Sequence, residues 1–207
     1  MAKILLVHGL WNRGWSMAAM AKRLRARGHV VMVFSYPTRS NGLNGHADEL
    51  HHFISQAPPE ELHLVGHSMG GLVILNMLSR FDDVPPGRVV LMGTPVRGSQ
   101  MVRRLENLPG QKLLFGKVAE DLLKGFRQIP DTRQTGMIRG TRALGLGRIV
   151  GKHDEPNDGS VAVSETLLQG LADAIELPVA HSEMLLSSEV VVQVEQFILH
   201  GKFKHNS

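Results

Sequence analysis

Cysteine does not occur in this chain. Disulfides, thiolate metal sites and a cysteine nucleophile are excluded, although that alone does not fix the compartment. Aromatic residues are few, 5% of the total, and they do not interleave with basic residues to make a stacking and phosphate-binding surface. A nucleic-acid partner is therefore not expected. Long apolar runs are missing as well. No stretch approaches the roughly 20 residues that cross a bilayer, and the first apolar run, at 4–7, is too short for a signal-peptide core. The default expectation is a cytoplasmic protein with no transmembrane segment. Charge is nearly balanced, 23 Lys and Arg against 19 Asp and Glu, a net +4. Arg23, Arg25 and Arg27 fall late in one predicted helix, where they suit the helix dipole and solvent. Internal repeats, low-complexity tracts and linkers are also lacking.

What is present is material for a core. With 43% hydrophobic residues over 207 positions, the chain can bury one substantial interior, and a single domain over 1–207 is expected. Short, continuous apolar strands are predicted at 3–7, 29–34, 62–65, 88–92, around 137–139 and at 174–177. Between them lie helical patterns. Met17, Met20, Ala21 and Leu24 follow Ser16 as N-cap and stop at Gly28. Ala47, Leu50 and Ile54 precede the breaker Pro58-Pro59. Another helix spans 69–79, and Val190, Val191, Val194, Phe197 and Ile198 mark a closing one that ends near Gly201. Residues 100–130 carry the weakest pattern; Leu114, Val118 and Leu122 suggest one helix closed near Gly125. Residues 143–160 are loop-rich, with Gly145, Gly147, Gly151 and Asn157-Asp158-Gly159. The alternation predicts an α/β fold, a three-layer α/β/α sandwich with a mostly parallel sheet of about six strands. Right-handed crossovers then gather the functional loops at the carboxyl edge of the sheet.

The most informative stretch is Gly66-His67-Ser68-Met69-Gly70, set between an apolar strand and a helical run. This is the G-x-S-x-G pattern in the strand–turn–helix context that gives it meaning. Glycines at both ends let strand and helix approach, and Ser68 is lifted clear at the helix N-terminus, where developing negative charge is favoured. The plainer alternative is a glycine-rich turn whose serine only caps the helix.

A serine hydroxyl needs a base beside it. His67 is adjacent in sequence, but the turn sends neighbouring side chains in different directions and should bury it. His181 lies after the last strand and before the closing helix, the position required of a histidine that comes last in the chain order nucleophile, acid, base. His153 precedes the last strand, and His200 and His205 lie in or past the final helix. The orienting carboxylate is expected at Asp158, presented by the sharp Asn157-Asp158-Gly159 turn. Asp154 and Glu155 are close rivals and Asp173 a weaker one. An oxyanion needs preorganised donors. The backbone N–H of Met69 should supply one, and that of Leu10, in the His8-Gly9-Leu10-Trp11 loop, the other. His8 then braces the loop.

With these residues in place, the chain resembles the α/β-hydrolase superfamily, in particular its bacterial lipase and esterase branch. The similarity rests on His8-Gly9 after the first strand, Gly-His-Ser-Met-Gly at 66–70, Gly93-Thr94-Pro95-Val96-Arg97-Gly98-Ser99, the Asn-Asp-Gly turn and the late histidine. Bacterial relatives of the GPI inositol-deacylase look similar too. The resemblance implies Ser68 as nucleophile, Asp158 as acid and His181 as base. The chain opens directly at the strand before the oxyanion loop, as in the minimal, six-stranded, lidless version of the fold, and Val96 stands where many lipases have histidine. Calcium, bound by some lipases near the acid loop, finds no convincing carboxylate set, and neither metal nor cofactor is expected. An acyl groove could be lined by Leu10, Trp11, Met69, Val96 and the apolar segment 113–115.

The expected activity is cleavage of a carboxylic ester, of a small molecule or a lipid. A thioesterase or acyltransferase on the same scaffold, or a silent binding module, are the alternatives. Acid pH should weaken the activity as the base becomes protonated.

Overall fold

The computed structural model describes residues 1–105, 109–126, 128–144 and 155–205. Six strands form one sheet: β1 Lys3–Val7, β2 Val30–Phe34, β3 His63–His67, β4 Val89–Met92, β5 Thr135–Gly140 and β6 Asp173–Leu177. Their spatial order is β2-β1-β3-β4-β5-β6, and every pairing is parallel. Parallel strands need helical crossovers that cover both faces, so their sequences are apolar on both sides. The pleat sorts them. Leu5, Val7, Leu64, Val89, Leu91 and Met137 enter one core, whereas Ile4, Leu6, Val65, Val90, Met92 and Ile138 enter the other.

Seven α-helices are described: α1 Ala18–Ala26, α2 Leu43–Ser55, α3 Met69–Leu78, α4 Gln100–Leu105, α5 Gln111–Phe115, α6 Ala119–Lys124 and α7 Ser188–His200. Helices α2 and α3 cover the first face of the sheet, and α1 and α7 the second. Apart from Asn76, every residue of α3 is buried, which explains why this helix is apolar all round rather than amphipathic. Helix α7 starts at Ser187, whose hydroxyl accepts the Val190 N–H at 3.3 Å, and ends at Gly201 in the left-handed conformation, φ 74°.

Two local readings differ from the structure. Ser16 does not cap α1; it lies in a 3₁₀ turn, Gly14–Met17, and its hydroxyl donates back to Arg13 O. The helix suggested by Leu114, Val118 and Leu122 is not one helix. It breaks into α5, a 3₁₀ turn and α6, with a left-handed turn at Gly116, φ 63°. Tertiary bonds hold these short pieces: Asp121 Oδ2 accepts the Leu43 N–H at 2.7 Å, and Arg39 Nη1 donates to Leu113 O at 2.8 Å. Among the described residues, no helix is long and apolar enough to cross a membrane. Gly145, Gly147 and Gly151 of the predicted loop lie outside the described residues, as do His153 and Asp154.

The strand order reverses direction at β1, since β2 and β3 flank it on opposite sides. The loops after β1 and β3 therefore diverge across a crevice at the carboxyl edge, the usual ligand position in such sheets. They meet there closely: a Cβ on Gly9 would stand 2.8 Å from Ser68 Cβ.

Candidate active site

Ser68 sits between β3 and α3 with φ 54° and ψ −127°. A non-glycine residue with positive φ is held there by its surroundings at a cost of order 1–3 kcal/mol. The surroundings leave little choice. A Cβ on Gly66 would lie 2.5 Å from Gly71 Cα, and one on Gly70 would lie 2.3 Å from Val7 O. Only hydrogen fits at either end of the turn. The Ser68 N–H is tied to Met92 O at 2.8 Å, and its hydroxyl makes no cap bond to the helix. The serine is thus not the cap that the plainer reading would make it. Its side chain faces a cavity of about 200 Å³, together with Leu10, Trp11, Met69, Pro95, Met101, Val102, Leu122, Ser160 and His181.

Asp158 and His181 come together 23 residues apart in the chain: Asp158 Oδ2 and His181 Nδ1 are 2.7 Å apart. The carboxylate is almost wholly buried, 1% exposed, and the imidazole is 12% exposed. Both carboxylate oxygens of Asp158 are engaged. Its Oδ1 accepts the N–H groups of Ser160 at 2.9 Å and Val161 at 2.7 Å, fixing the turn, while Oδ2 is left for the imidazole. An ionised carboxylate only accepts, so Nδ1 carries the proton and Nε2 presents a lone pair. The backbone adds a second tie, His181 N–H to Asp158 O at 2.8 Å. Beneath the pair lies Gly93, φ 54°, where a Cβ would be 2.8 Å from Asp158 Oδ2 and 3.0 Å from His181 Nδ1.

Of the rival carboxylates, the two that are described bond elsewhere. Glu155 accepts from Ser164 Oγ at 2.8 Å, and Asp173 accepts the Phe203 N–H at 2.8 Å and contacts His205. Val96 does not line the cavity. It is fully buried in the core, because the turn after β4 directs it inward beneath the 100–126 segment, and its carbonyl accepts the Phe126 N–H at 2.6 Å. Leu113 and Leu114 are exposed and Phe115 is buried, and the 113–115 segment does not line the cavity either. Trp11 does, at its rim. Its backbone has φ 60°, its N–H donates to Thr38 Oγ1 at 3.2 Å, its indole N–H donates to Leu114 O at 2.7 Å, and its ring packs on Phe115. The Leu10 N–H makes no protein hydrogen bond among the described residues, and Met69 opens α3, where the first N–H groups have no helical partner.

His8 braces this loop as one tautomer. Its Nδ1–H donates to Gly9 O at 3.0 Å and its Nε2 accepts the Tyr36 N–H at 3.3 Å, while Tyr36 Oη donates to His8 O at 2.9 Å. Burial lowers the His8 pKa from the ordinary imidazole value, in keeping with that neutral form.

Two residues near the site gave no sequence signal for their part in it. His67 donates from Nε2 to the His181 carbonyl at 2.9 Å, with the two rings 4.5 Å apart. Burial, reinforced by the neighbouring His181, depresses its pKa to about 3, so it stays neutral and holds the His181 backbone without competing for a proton. Glu165, only 3% exposed, ties the Asp158 turn to α4: Oε2 accepts the Ala162 N–H at 2.6 Å and Oε1 the Gln100 N–H at 2.7 Å. Burial, with added repulsion from Asp158 and Glu155, raises its pKa to about 7 in spite of those two donors.

A carboxyl with a raised folded-state pKa binds its proton more tightly when folded, so its stabilising contribution is present in acid and is lost as pH rises from about 4.5 to 7. Glu165→Gln removes this term. Its unfolding free energy should rise from pH 5 to pH 7 by about 2 kcal/mol more than that of the parent, as read from urea midpoints. Equal pH dependence in the two proteins would contradict the raised pKa.

Known proteins of similar sequence include a carbendazim-hydrolysing esterase of a Nocardioides species, 26% identical over 170 residues, a match spanning 76% of this chain and 67% of that protein. A probable esterase of rice, Oryza sativa subsp. indica, is 32% identical over 114 residues, 49% of this chain and 43% of its own length. The chain thus covers less than half of the rice protein. Among solved structures, the mature lipase of Bacillus licheniformis superposes with a TM-score of 0.71 at 17% identity, over 96% of this chain and 91% of that one. A methylesterase of Arabidopsis superposes with a TM-score of 0.65 at 14% identity, over 97% and 98%. These structures share the fold. A model of the alpha/beta hydrolase family matches residues 4–189, and with the parallel six-stranded sheet and the serine elbow already in view, the chain belongs to the alpha/beta hydrolase family.

Proposed function

We propose that this protein is a serine hydrolase that cleaves carboxylic esters through an acyl-enzyme on Ser68, with His181 as base and Asp158 as the acid that orients it. The observation that carries the reading is the 2.7 Å contact between Asp158 and His181, with the imidazole lining the same cavity as a serine held at positive φ. The names of the similar proteins, an esterase from Nocardioides and esterases from rice, point to the same bond class.

In the first step Ser68 Oγ attacks the ester carbonyl carbon and its proton passes to His181 Nε2. Asp158 stabilises the imidazolium through Nδ1–H. The carbonyl oxygen becomes an oxyanion, received by the N–H groups of Leu10 and Met69 and favoured by the N-terminus of α3. Collapse breaks the bond to the leaving oxygen, which takes the proton from Nε2 and departs as the alcohol. Water then attacks the acyl carbon, gives its proton to Nε2, and the acid leaves as that proton returns to Ser68 Oγ.

The test is incubation with p-nitrophenyl acetate in the absence and presence of a competing alcohol, with both products quantified. Nitrophenol release with free acetic acid as the main second product supports the hydrolase. Acetyl transfer to the alcohol as the dominant outcome favours an acyltransferase, and no turnover by well-folded protein favours a silent relative.

A further inference from the structure

The walls of the cavity restrict which ester can be taken. Resting on the hydrolase reading above, we propose that the substrate carries a short, uncharged acyl group, and that Met101 and Leu122 set the upper limit on its length.

Size is the first argument. The cavity holds about 200 Å³, below the roughly 300–1,000 Å³ of common ligand pockets. A cavity below that range suits a short acyl group better than a long chain.

Chemistry gives the second argument. The base must deliver its proton to the leaving oxygen, so the leaving group lies toward His181. That wall carries the hydroxyl-bearing residues Ser160 and Ser182. The acyl group is left the wall of Pro95, Ser99, Met101, Val102 and Leu122, apolar except for Ser99, whose Oγ accepts the Val102 N–H at 3.3 Å. Among the described residues, no Asp, Glu, Lys or Arg lines the cavity, and His67 is neutral, so a charged acyl group would be desolvated without a partner there.

The third argument is that the apolar wall is pinned. Helix α4 begins at the Gln100 N–H held by Glu165. The Ser99 N–H donates to Leu122 O at 2.7 Å, α6 is tied to α2 through Asp121, and Trp11 ties the rim to Leu114. A longer chain would have to break several of these bonds at once. A methylene that fits or fails to fit an apolar pocket changes the specificity constant by about 10- to 200-fold.

The experiment is a series of p-nitrophenyl esters from acetyl to decanoyl, run on the full chain and on Met101→Ala and Leu122→Ala, with kcat/KM for each ester. Maximal values at two to four carbons, and at least a tenfold fall by octanoyl, are expected. In the variants the octanoyl-to-butanoyl ratio should rise about tenfold. Leu122 is buried, and if its variant fails to fold, Met101, only partly buried, carries the test. A profile that is flat or rises toward decanoyl overturns the proposal, as does an unchanged ratio in Met101→Ala. Hydrolysis with the wrong length preference rejects the size limit alone, whereas failure of every ester to react, with no covalent labelling of Ser68, rejects the hydrolase reading as well.

Discussion

Replacing Ser68 with alanine should lower kcat toward a p-nitrophenyl ester by about 10⁴- to 10⁶-fold, the range seen when the nucleophile of such a triad is removed. Nothing nearby can substitute. Ser99, Ser160 and Ser182 also line the cavity, but none of them shares the positive φ of Ser68 or its place on the turn from β3 into α3. The loss should come without loss of fold, because the Ser68 hydroxyl makes no cap bond and its backbone tie to Met92 O survives any side chain. Ser68→Gly should be equally inactive but more stable, since glycine releases the strain of φ 54°. Steady-state kinetics beside urea melts read both effects. Retention of more than one-hundredth of the activity in Ser68→Ala would remove Ser68 as nucleophile.

Asp158→Asn is the second large effect, and here geometry stays while chemistry changes. The amide oxygen can keep the bonds that Oδ1 makes to the Ser160 and Val161 N–H groups. The NH₂ then faces His181 Nδ1, which must become the acceptor. The proton moves to Nε2, and the imidazole can no longer take one from Ser68. A loss of about 10⁴ in kcat is expected, with little change in KM. Asp158→Ala would remove the turn-fixing bonds as well, so the asparagine variant isolates the tautomer effect. A wild-type rate in well-folded Asp158→Asn would transfer the acid role to another carboxylate.

The strands could be read from sequence because buried parallel strands are continuous apolar runs: β1, β3 and β4 stand where those runs fall. The elbow was equally legible, since two glycines at fixed offsets from a serine encode a backbone constraint that any side chain would violate. Asp158 and His181 were placed by chain order, and their 2.7 Å approach depends on a turn and a loop whose ends the sheet fixes. Other features left no local trace. The short helices α5 and α6 are held by bonds to Arg39, Trp11 and Leu43 rather than by periodicity, so the pattern of Leu114, Val118 and Leu122 suggested one helix where a glycine turn divides two. Val96 reads as a loop residue beside the site, yet an apolar side chain next to a core is drawn inward. Glu165 sits in a polar stretch that looks like surface, and only its partner 65 residues away, Gln100, reveals the clasp.

These supports share one design. Ser68, Asp158 and His181 follow three different strands, β3, β5 and β6, and buried polar residues hold the backbone around them. His8 holds the oxyanion loop, His67 the backbone of His181, and Glu165 the Asp158 turn against α4. Each is hydrogen-bonded to backbone rather than directed at substrate, which suits positioning more than reaction.

The central claim, that Ser68 is activated by the Asp158–His181 pair, is tested most directly by reaction with a fluorophosphonate, followed by peptide mapping of the adduct. The account predicts one adduct, on Ser68, formed by the parent protein and abolished in Ser68→Ala and His181→Ala. Labelling of a different residue, or undiminished labelling of Ser68 in His181→Ala, would contradict it.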